Sequence, residues 1–203
     1  TSYNFNQYTT AYFGGYGAGG TSWAYYGFMS NTRFVNGTAI YTATFTPPTA
    51  PLTAIPNTQL LCNFTNVGIV DNSMLSNLET IGNSQVSTSV KKYGTGSLAF
   101  DGSGDWLVVP AAASITGTGY AWTIQGWFYA LSTSGGIFDA WNSGTTSFLI
   151  RLNGGNLEFY ITGGSSTAVT GIAINRWYHF AVVKDTNNNI QMYLNEYNYQ
   201  LYH

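Results

Sequence analysis

Short strand-like runs alternate with turn-forming residues along most of this chain, and that alternation is the feature that most constrains its fold. The runs are rich in β-branched and aromatic residues, and they recur about every 8–12 residues with Gly, Asn or Pro between them. No segment keeps the apolar period of an α-helix, and residues 71–80 could form a short helical turn at most. The pattern predicts an all-β protein with two antiparallel sheets stacked as a β-sandwich.

The predicted strands cover most of the chain. They are Tyr8–Phe13, Tyr25–Phe34, Ala39–Phe45, Gln59–Phe64, Gln85–Val90, Ser97–Phe100, Trp106–Val109, Trp122–Ala130, Gly136–Trp141, Ser147–Asn153, Asn156–Thr162, Trp177–Asp185 and Ile190–Asn195.

Composition excludes several classes of protein. Only 7% of the residues are charged, whereas a soluble domain has about a quarter, yet 17% are aromatic, which is unlike a disordered chain. A net charge of −2 with six dispersed basic residues offers no footprint for nucleic acid. No apolar run approaches the roughly 20 residues of a membrane helix, so we expect no membrane partner. The lone Cys62 is expected to be a buried thiol.

A proline-rich segment divides the chain unequally. Four of the five prolines lie in the stretch "TPPTAPLTAIPN", which follows a strand-like run and precedes the apolar run "LLCNF". Proline favours an extended, stiff backbone that cannot form a tight hairpin. We therefore predict strands in residues 1–46, a joint at residues 47–57 and the main set of strands in residues 58–203.

Several motifs resemble the concanavalin A-like, laminin G-type jelly roll. They are "SVKKYGTGSLAFDGSGDWLVVP" (Ser89–Pro110), "WTIQGWFYA" (Trp122–Ala130) and "NRWYHFAVVKDTNNNIQMYLN" (Asn175–Asn195), and they occur in the order of that family. "GFMSNTRFVNGTAIYTATFTPP" (Gly27–Pro48) resembles the closing part of the same module. The combination is similar to modules of marine bacteriophage tail or fibre proteins. The resemblance implies a jelly roll whose module order is rotated, with the ending placed first.

The rotated order leaves three interpretations open. Residues 1–55 could fold back onto residues 58–203 of the same chain, or they could complete the sandwich of a neighbouring chain. In the third interpretation the chain is a piece of a longer array of modules. Donation between chains would make the protein a homo-oligomer or homopolymer, because an incomplete sheet exposes an edge and an apolar face. The aromatic residues expected to seat the donated segment are Tyr25, Phe28, Phe34, Tyr41 and Phe45.

The sequence predicts no catalytic residues. A retaining glucanase of the resembled superfamily places carboxylates on alternate residues of one strand, about 5 Å apart. The glutamates at positions 79, 158 and 196 have no carboxylate two or three positions away. His179 alternates with Trp177 and Ala181 on a predicted inner strand, where a packed role is expected. We therefore expect a protein that is not an enzyme.

The sequence offers candidate residues for two kinds of ligand. Sugar sites combine aromatic rings with polar side chains, and the candidates at glycine-rich loops are Tyr16, Trp23, Tyr26, Trp141 and Asn142. The resemblance also implies a Ca²⁺ site at a sheet edge, for which Asp101, Asp105 and Asp139 are the candidate ligands. We predict no obligatory cofactor, with calcium as the one candidate. The tryptophans on predicted strands are expected to be structural.

Two functions follow from this sequence. The first is a non-enzymatic structural or adhesion module of a viral or extracellular fibre, assembled by complementation between neighbouring chains. The alternative is a lectin-like domain that binds a surface glycan, using loop aromatics and calcium. Both place the protein outside the cell or on a virion surface. Glu196 stands where the resembled motif has glycine, so residues 196–203 have no assigned register or role.

Overall fold

The computed structural model describes residues 10–15, 23–110, 121–140, 148–161, 167–195 and 197–200. In these ranges the chain is all-β, which confirms the predicted fold class. None of the described segments forms a helix long and apolar enough to cross a membrane. The strands are β1 (Thr10–Phe13), β2 (Tyr26–Asn36), β3 (Thr58–Cys62), β4 (Glu79–Ile81), β5 (Gln85–Ser87), β6 (Ser97–Asp101), β7 (Trp106–Pro110), β8 (Trp122–Ala130), β9 (Gly135–Ala140), β10 (Phe148–Asn153), β11 (Asn156–Ile161), β12 (Thr167–Val169), β13 (Trp177–Lys184), β14 (Ile190–Leu194) and β15 (Tyr197–Gln200).

The described strands form two antiparallel sheets. The first sheet has seven strands in the order β12-β11-β10-β9-β1-β7-β4. The second sheet has eight strands. Seven lie in the order β15-β14-β13-β8-β2-β6-β5, and the eighth, β3, pairs with β2. Seven of these thirteen neighbouring pairs are consecutive in sequence, and the other six, which include both pairs of β1, join distant parts of the chain.

The core lies between the inner faces of the two sheets and is largely aromatic. Trp122 stacks on Phe34 at a centroid distance of 6.1 Å and on Phe148 at 5.5 Å, and all three are buried. Burying a side chain of this size stabilises the fold by about 1.5–3 kcal/mol. Trp122 is therefore structural, as predicted, and so is buried Cys62.

The N-terminal strands occupy inner positions in both sheets. β1 lies between β7 and β9 of the first sheet, and β2 lies between β6 and β8 of the second. In this single chain they complete its own sandwich. The same residues supplied by a neighbouring copy would take the same places, so donation between chains stays a prediction.

Three differences from the predicted strands have local causes. The prediction of a strand at Ala39–Phe45 is wrong, because this segment lies across the outer face of the second sheet without joining a ladder. β4 and β12 have only three residues each, too few for an alternating pattern to show. β15 falls in the tail that had no predicted register; residues 196 and 201–203 lie outside the described ranges.

Side chains of the sheet hold the predicted joint, residues 47–57, against the sandwich. Asn31 Oδ1 accepts a hydrogen bond from Leu52 N at 3.1 Å, and Asn63 Nδ2 donates to Leu52 O at 3.0 Å. Arg33 Nη1 donates to Thr53 O at 2.8 Å. The joint is therefore a packed connection in this structure.

Candidate functional site

The outer face of the second sheet carries aromatic and polar side chains from four neighbouring strands. Direct pairing places Arg33 of β2 beside Gln125 of β8, and Trp127 of β8 beside His179 of β13. Tyr193 of β14 extends the same face, because Ala181 is its partner on β13. We call these five residues the groove. Each is buried, although neither of the two sheets formed by the described strands packs on this face.

The groove is covered by residues 37–46, here called the covering segment. The rings of Tyr41 and Phe45 stack on each other, with centroids 3.5 Å apart and planes within 8°. Phe45 then meets Tyr193 edge-on at 5.3 Å and His179 edge-on at 5.5 Å. Together with Ala39 these rings pack against a small apolar cluster on the outer face, formed by Ala181, Val183 and Tyr193. The covering segment thus uses an aromatic pair to bind the sheet.

Hydrogen bonds join the covering segment to the sheet beneath it. Thr123 Oγ1 accepts from Ile40 N at 2.9 Å and donates to Thr38 O at 3.0 Å. The Tyr193 hydroxyl lies 3.2 Å from Tyr41 O and 2.6 Å from Gln191 Oε1, so its one proton is shared between these two acceptors. These bonds are made through side chains of the sheet and form no strand ladder.

Gln125 links the polar members of the groove. In the amide orientation that satisfies both ends, its oxygen accepts from Arg33 Nε at 3.2 Å and Arg33 Nη2 at 2.6 Å. Its nitrogen donates to His179 Nε2 at 3.3 Å and also to the Tyr41 hydroxyl. One amide therefore connects a cation, an imidazole and the covering segment.

Burial and nearby cations keep His179 neutral. Desolvation is the largest cause, followed by the positive charges of Arg33 and Lys92, and together they lower the pKa of His179 to about 3. Burial likewise lowers the pKa of Arg33 and raises that of Tyr41. The groove is thus a poor environment for an additional positive charge.

The far end of the groove is closed by Lys92 and Tyr93. The Lys92 ammonium lies 4.1 Å from the centroid of the Trp127 ring, and Tyr93 meets that ring edge-on at 5.7 Å. Two buried polar atoms of the groove, Trp127 Nε1 and His179 Nδ1, have no hydrogen-bond partner among the described residues. With the groove covered, these two nitrogen atoms are therefore buried without a hydrogen bond to the described part of the chain.

A second cluster contains Trp23, one of the predicted ligand aromatics. The Arg151 guanidinium lies 4.4 Å from the centroid of the half-buried Trp23 ring and 5.7 Å from that of Tyr160. Arg151 Nε also donates to Glu158 Oε2 at 2.8 Å, and Asn153 Nδ2 donates to Glu158 Oε1 at 3.2 Å. We call these five residues the Trp23 cluster.

The other predicted sugar-binding residues are not all described. Tyr26 lies at the start of β2 opposite Asp101 and is 44% exposed. Tyr16, Trp141 and Asn142 lie outside the described residues, so their part in a ligand site stays a prediction.

The candidate calcium ligands Asp101 and Asp105 organise a turn between β6 and β7. Asp105 is 1% exposed and accepts backbone N–H groups at both oxygens, from Asn83 at 2.8 Å and from Asp101 at 2.9 Å. Asp101 accepts from Ser103 N at 2.7 Å. The carboxylates therefore have a structural role here.

Asp139, the third candidate ligand, lies elsewhere. It is buried on β9, opposite Tyr12 of β1, whose pKa is raised by burial and by the Asp139 charge. Within the described ranges there is no group of three His, Cys, Asp or Glu residues that could hold a metal ion. Calcium binding stays an untested prediction, without a common site for these three residues.

Other carboxylates are also engaged in local hydrogen bonds. Asp71 accepts backbone N–H groups of Leu61, Ser73, Leu75 and Ser76. Asp185 accepts from Asn187 and Asn189 in the β13–β14 hairpin. Although partial burial by itself would raise its pKa, these bonds and the Lys184 charge hold the pKa of Asp185 below its usual value.

The five residues predicted to seat the N-terminal segment occupy three environments. Tyr25 and Phe34 are fully buried between the sheets, where Tyr25 meets Phe100 edge-on at 5.9 Å. Phe28 lies on the outer face against Tyr129 at 5.8 Å. Tyr41 and Phe45 belong to the covering segment. All five contact the sandwich, whichever copy would supply them.

Sequence reasoning missed the groove. Its signal was present in "WTIQGWF", where Gln125 stands between Thr123 and Trp127 on one face of an otherwise apolar strand. His179 is packed, as predicted, but it lies beneath the covering segment and outside the space between the sheets.

Comparison with known proteins gives one match, which covers part of the chain. Residues 101–196 match the family model Laminin_G_3, described as the concanavalin A-like lectin/glucanases superfamily. The match runs from the last residue of β6 to the residue that precedes β15. Searches of curated proteins and of solved structures found no match. The central and C-terminal strands are therefore similar to a concanavalin A-like lectin or glucanase module, the jelly-roll class of domain.

Proposed function

We propose that the protein is a non-enzymatic structural module of a viral or extracellular fibre, in which neighbouring copies complete each other's sandwich with residues 1–55. The observation that carries this proposal is the inner position of β1 and β2 in their sheets. A sandwich lacking them would expose unpaired strand edges and the apolar core. Such a gap is a strong template for the matching segment of another copy.

The connection between β2 and β3 makes exchange geometrically simple. Residues 37–57 join the N-terminal strands to the remainder of the chain and are not part of a sheet ladder. Exchange would preserve every strand pair and change only which chain supplies it. Head-to-tail exchange that does not close gives a filament.

Engagement of the carboxylates supports the absence of catalysis. Asp71, Asp101, Asp105 and Asp185 accept backbone N–H groups, and Glu158 is paired with Arg151. Glycoside hydrolysis needs two carboxyl groups flanking a substrate, one of them free to donate a proton.

A disulfide trap tests the exchange directly. Tyr26 and Asp101 are paired across β2 and β6, and both side chains are exposed. Paired residues of antiparallel strands have Cα atoms about 4.5–5.5 Å apart, which suits a disulfide. Tyr26→Cys and Asp101→Cys are made in two differently tagged chains, which are mixed, refolded together and oxidised.

Covalent heterodimers between the two tags are the expected result. The double variant Tyr26→Cys/Asp101→Cys in one chain is the positive control for pairing, and each single variant alone controls for collisional oxidation. An internal disulfide in the double variant, without heterodimers from the mixture, would show that each chain closes its own sandwich.

The second candidate is a lectin-like module, favoured by the Trp23 cluster. A half-buried indole beside a guanidinium, a carboxylate and an amide combines a stacking surface with hydrogen-bonding groups. Binding to a glycan array should be lost in Trp23→Ala and retained in the control Trp177→Ala, with calcium and EDTA arms run in parallel. Absence of binding to every glycan by the wild type would remove this candidate.

A further inference from the structure

Resting on the proposed exchange between copies, we propose that the groove on the second sheet is a docking site for the covering segment of a neighbouring copy. The ligand is an extended peptide with an aromatic pair spaced four residues apart, "TAIYTATF". The chain's own copy of that peptide lies in the groove, which shows that the peptide and the groove are complementary in shape.

The covering segment can leave the groove without opening the sheet. At the base of the 37–57 connection, Asn36 N donates to Asn57 O at 3.1 Å, so the two ends of the connection are already joined. The later part of the connection has its own contacts, at Leu52 and Thr53. Lifting residues 38–46 therefore leaves the β2–β3 ladder and these contacts in place.

The surface beneath the segment differs from a core. Arg33, Gln125 and His179 are polar, and water can hydrogen-bond to each of them when the segment is absent. His179 Nδ1, which has no hydrogen-bond partner among the described residues of the closed groove, also becomes open to water when the Tyr41 and Phe45 rings leave. A polar face of this kind can be exposed when the covering segment leaves, because water replaces the lost hydrogen bonds, as it does at hydrated protein interfaces.

The occupant is specified by shape and hydrogen bonding. Phe45 fills the space between Tyr193 and His179, while Tyr41 reaches Gln125 with its hydroxyl. A depression beside the segment is lined by Tyr41 and Thr42 and by Val183, Asp185, Asn189 and Gln191 of the β13–β14 hairpin. In an exchanged assembly the segment must follow β2 into the partner, because Asn36 directly precedes it. The same groove would then join two copies.

A peptide-binding measurement tests the groove. The host is the full chain carrying Tyr41→Ala and Phe45→Ala, and the probe is a fluorescent peptide of residues 36–46, "NGTAIYTATFT". We expect saturable binding by this host, weaker by about tenfold or more in the wild type, whose own segment competes. A peptide with both aromatics replaced by Ala is the control. Equal binding to both hosts, or no binding to a folded host, would overturn the proposal.

Folding of the host is checked by a cooperative thermal transition. If the double variant fails this check, Phe45→Ala alone serves as host, because Tyr41 then still holds Gln125. Equal peptide binding to this variant and to the wild type, or no binding to the folded variant, would again overturn the proposal.

A second trap identifies the occupant as a neighbouring copy. Thr42 and Gln191 line the same depression, so Thr42→Cys and Gln191→Cys in separate chains should be joined by a short bis-maleimide. Met74→Cys, on a side chain 90% exposed in the β3–β4 loop, replaces Gln191→Cys in the control pair. Joined Tyr26 and Asp101 variants without joined Thr42 and Gln191 variants would leave exchange intact and reject docking in the groove. The reverse result would reject strand exchange, and the covering segment would then reach the neighbouring groove by lifting alone, without β2.

Discussion

At the scale of single residues, the polar groups buried outside the core determine how this fold responds to pH. His179 faces Arg33, Lys92, Gln125, Tyr41, Phe45 and Trp127, and none of these is an anion that could stabilise an imidazolium. Its folded pKa of about 3 lies below the ordinary 6.5, so the unfolded chain binds a proton first as pH falls.

We expect acid to destabilise the wild type through His179. Stability is fully present above pH 6.5 and falls towards pH 3, by up to about 1.4 kcal/mol per pH unit. His179→Gln should flatten this slope between pH 5 and 6.5, where carboxylates titrate little. Urea unfolding of both proteins across that window measures it, and parallel slopes would contradict the assignment.

Asp71 is the residue whose removal should cost the most among the turn carboxylates. It is 7% exposed and satisfies four backbone N–H groups, including that of buried Leu61. Asp71→Ala should lower the free energy of unfolding by about 2–3 kcal/mol. Asp185→Ala, at an exposed hairpin, is the matched control and should cost about 1 kcal/mol or less. Chemical unfolding compares them, and equal losses would contradict this ranking.

Individual residues show where sequence reasoning stops. The turn role of Asp101 was visible in "FDGSGD", where an Asp precedes a Gly-rich turn. The burial of Asp105 was not, because the donor Asn83 comes from a distant loop. The groove was hidden for the same reason: Arg33, Gln125 and His179 meet only through strand pairing.

At the scale of elements, long alternating runs predicted most of the strands, and Ala39–Phe45 is the exception. β8 was predicted with the bounds that the structure shows, because nine residues of mixed apolar and polar character leave little ambiguity. Ala39–Phe45 alternates in the same way, yet its apolar side chains pack on the outer face of the second sheet, and its backbone joins no ladder. Period-two alternation reports one buried face and does not require a ladder.

The turn that joins β4 to β5 depends on a glycine. Gly82 has φ +76°, and a Cβ there would lie 2.3 Å from Asp105 Oδ1. Gly94 has φ +72° with open space around it. Gly94→Ala should cost about 1–2 kcal/mol from backbone strain alone. Gly82→Ala adds the displacement of a buried carboxylate, so its midpoint in thermal unfolding should fall further. Equal losses would show that the Asp105 contact is unimportant.

At the scale of the whole molecule, the inner strands should be the most persistent part of the fold. β2 and β8 pair along most of their lengths and have neighbours on both sides. Hydrogen exchange should protect their amides up to the global unfolding free energy, whereas β4, β5 and β12 at sheet edges should exchange sooner. Early exchange of β2 amides would indicate that the N-terminal strands open separately from the sandwich.

The sandwich architecture was predictable from the sequence, while the source of its inner strands was not. Antiparallel pairing is satisfied equally by a segment of the same chain and by that of another. Local pattern reports which residues form strands and which faces are buried, and it carries no information on chain identity.

The inner position of β1 and β2 also has a consequence for synthesis. These strands leave the ribosome before their partners β6 to β9, which follow later in the chain. Until those partners are made, the edges of β1 and β2 stay unpaired and their aromatic side chains stay exposed. Strand pairing between distant parts of a chain is also slow. Under the proposed exchange, crowding of nascent chains on one messenger would favour pairing with a neighbouring copy, and dilution would favour pairing within one chain, so the rate of translation would influence which of the two forms.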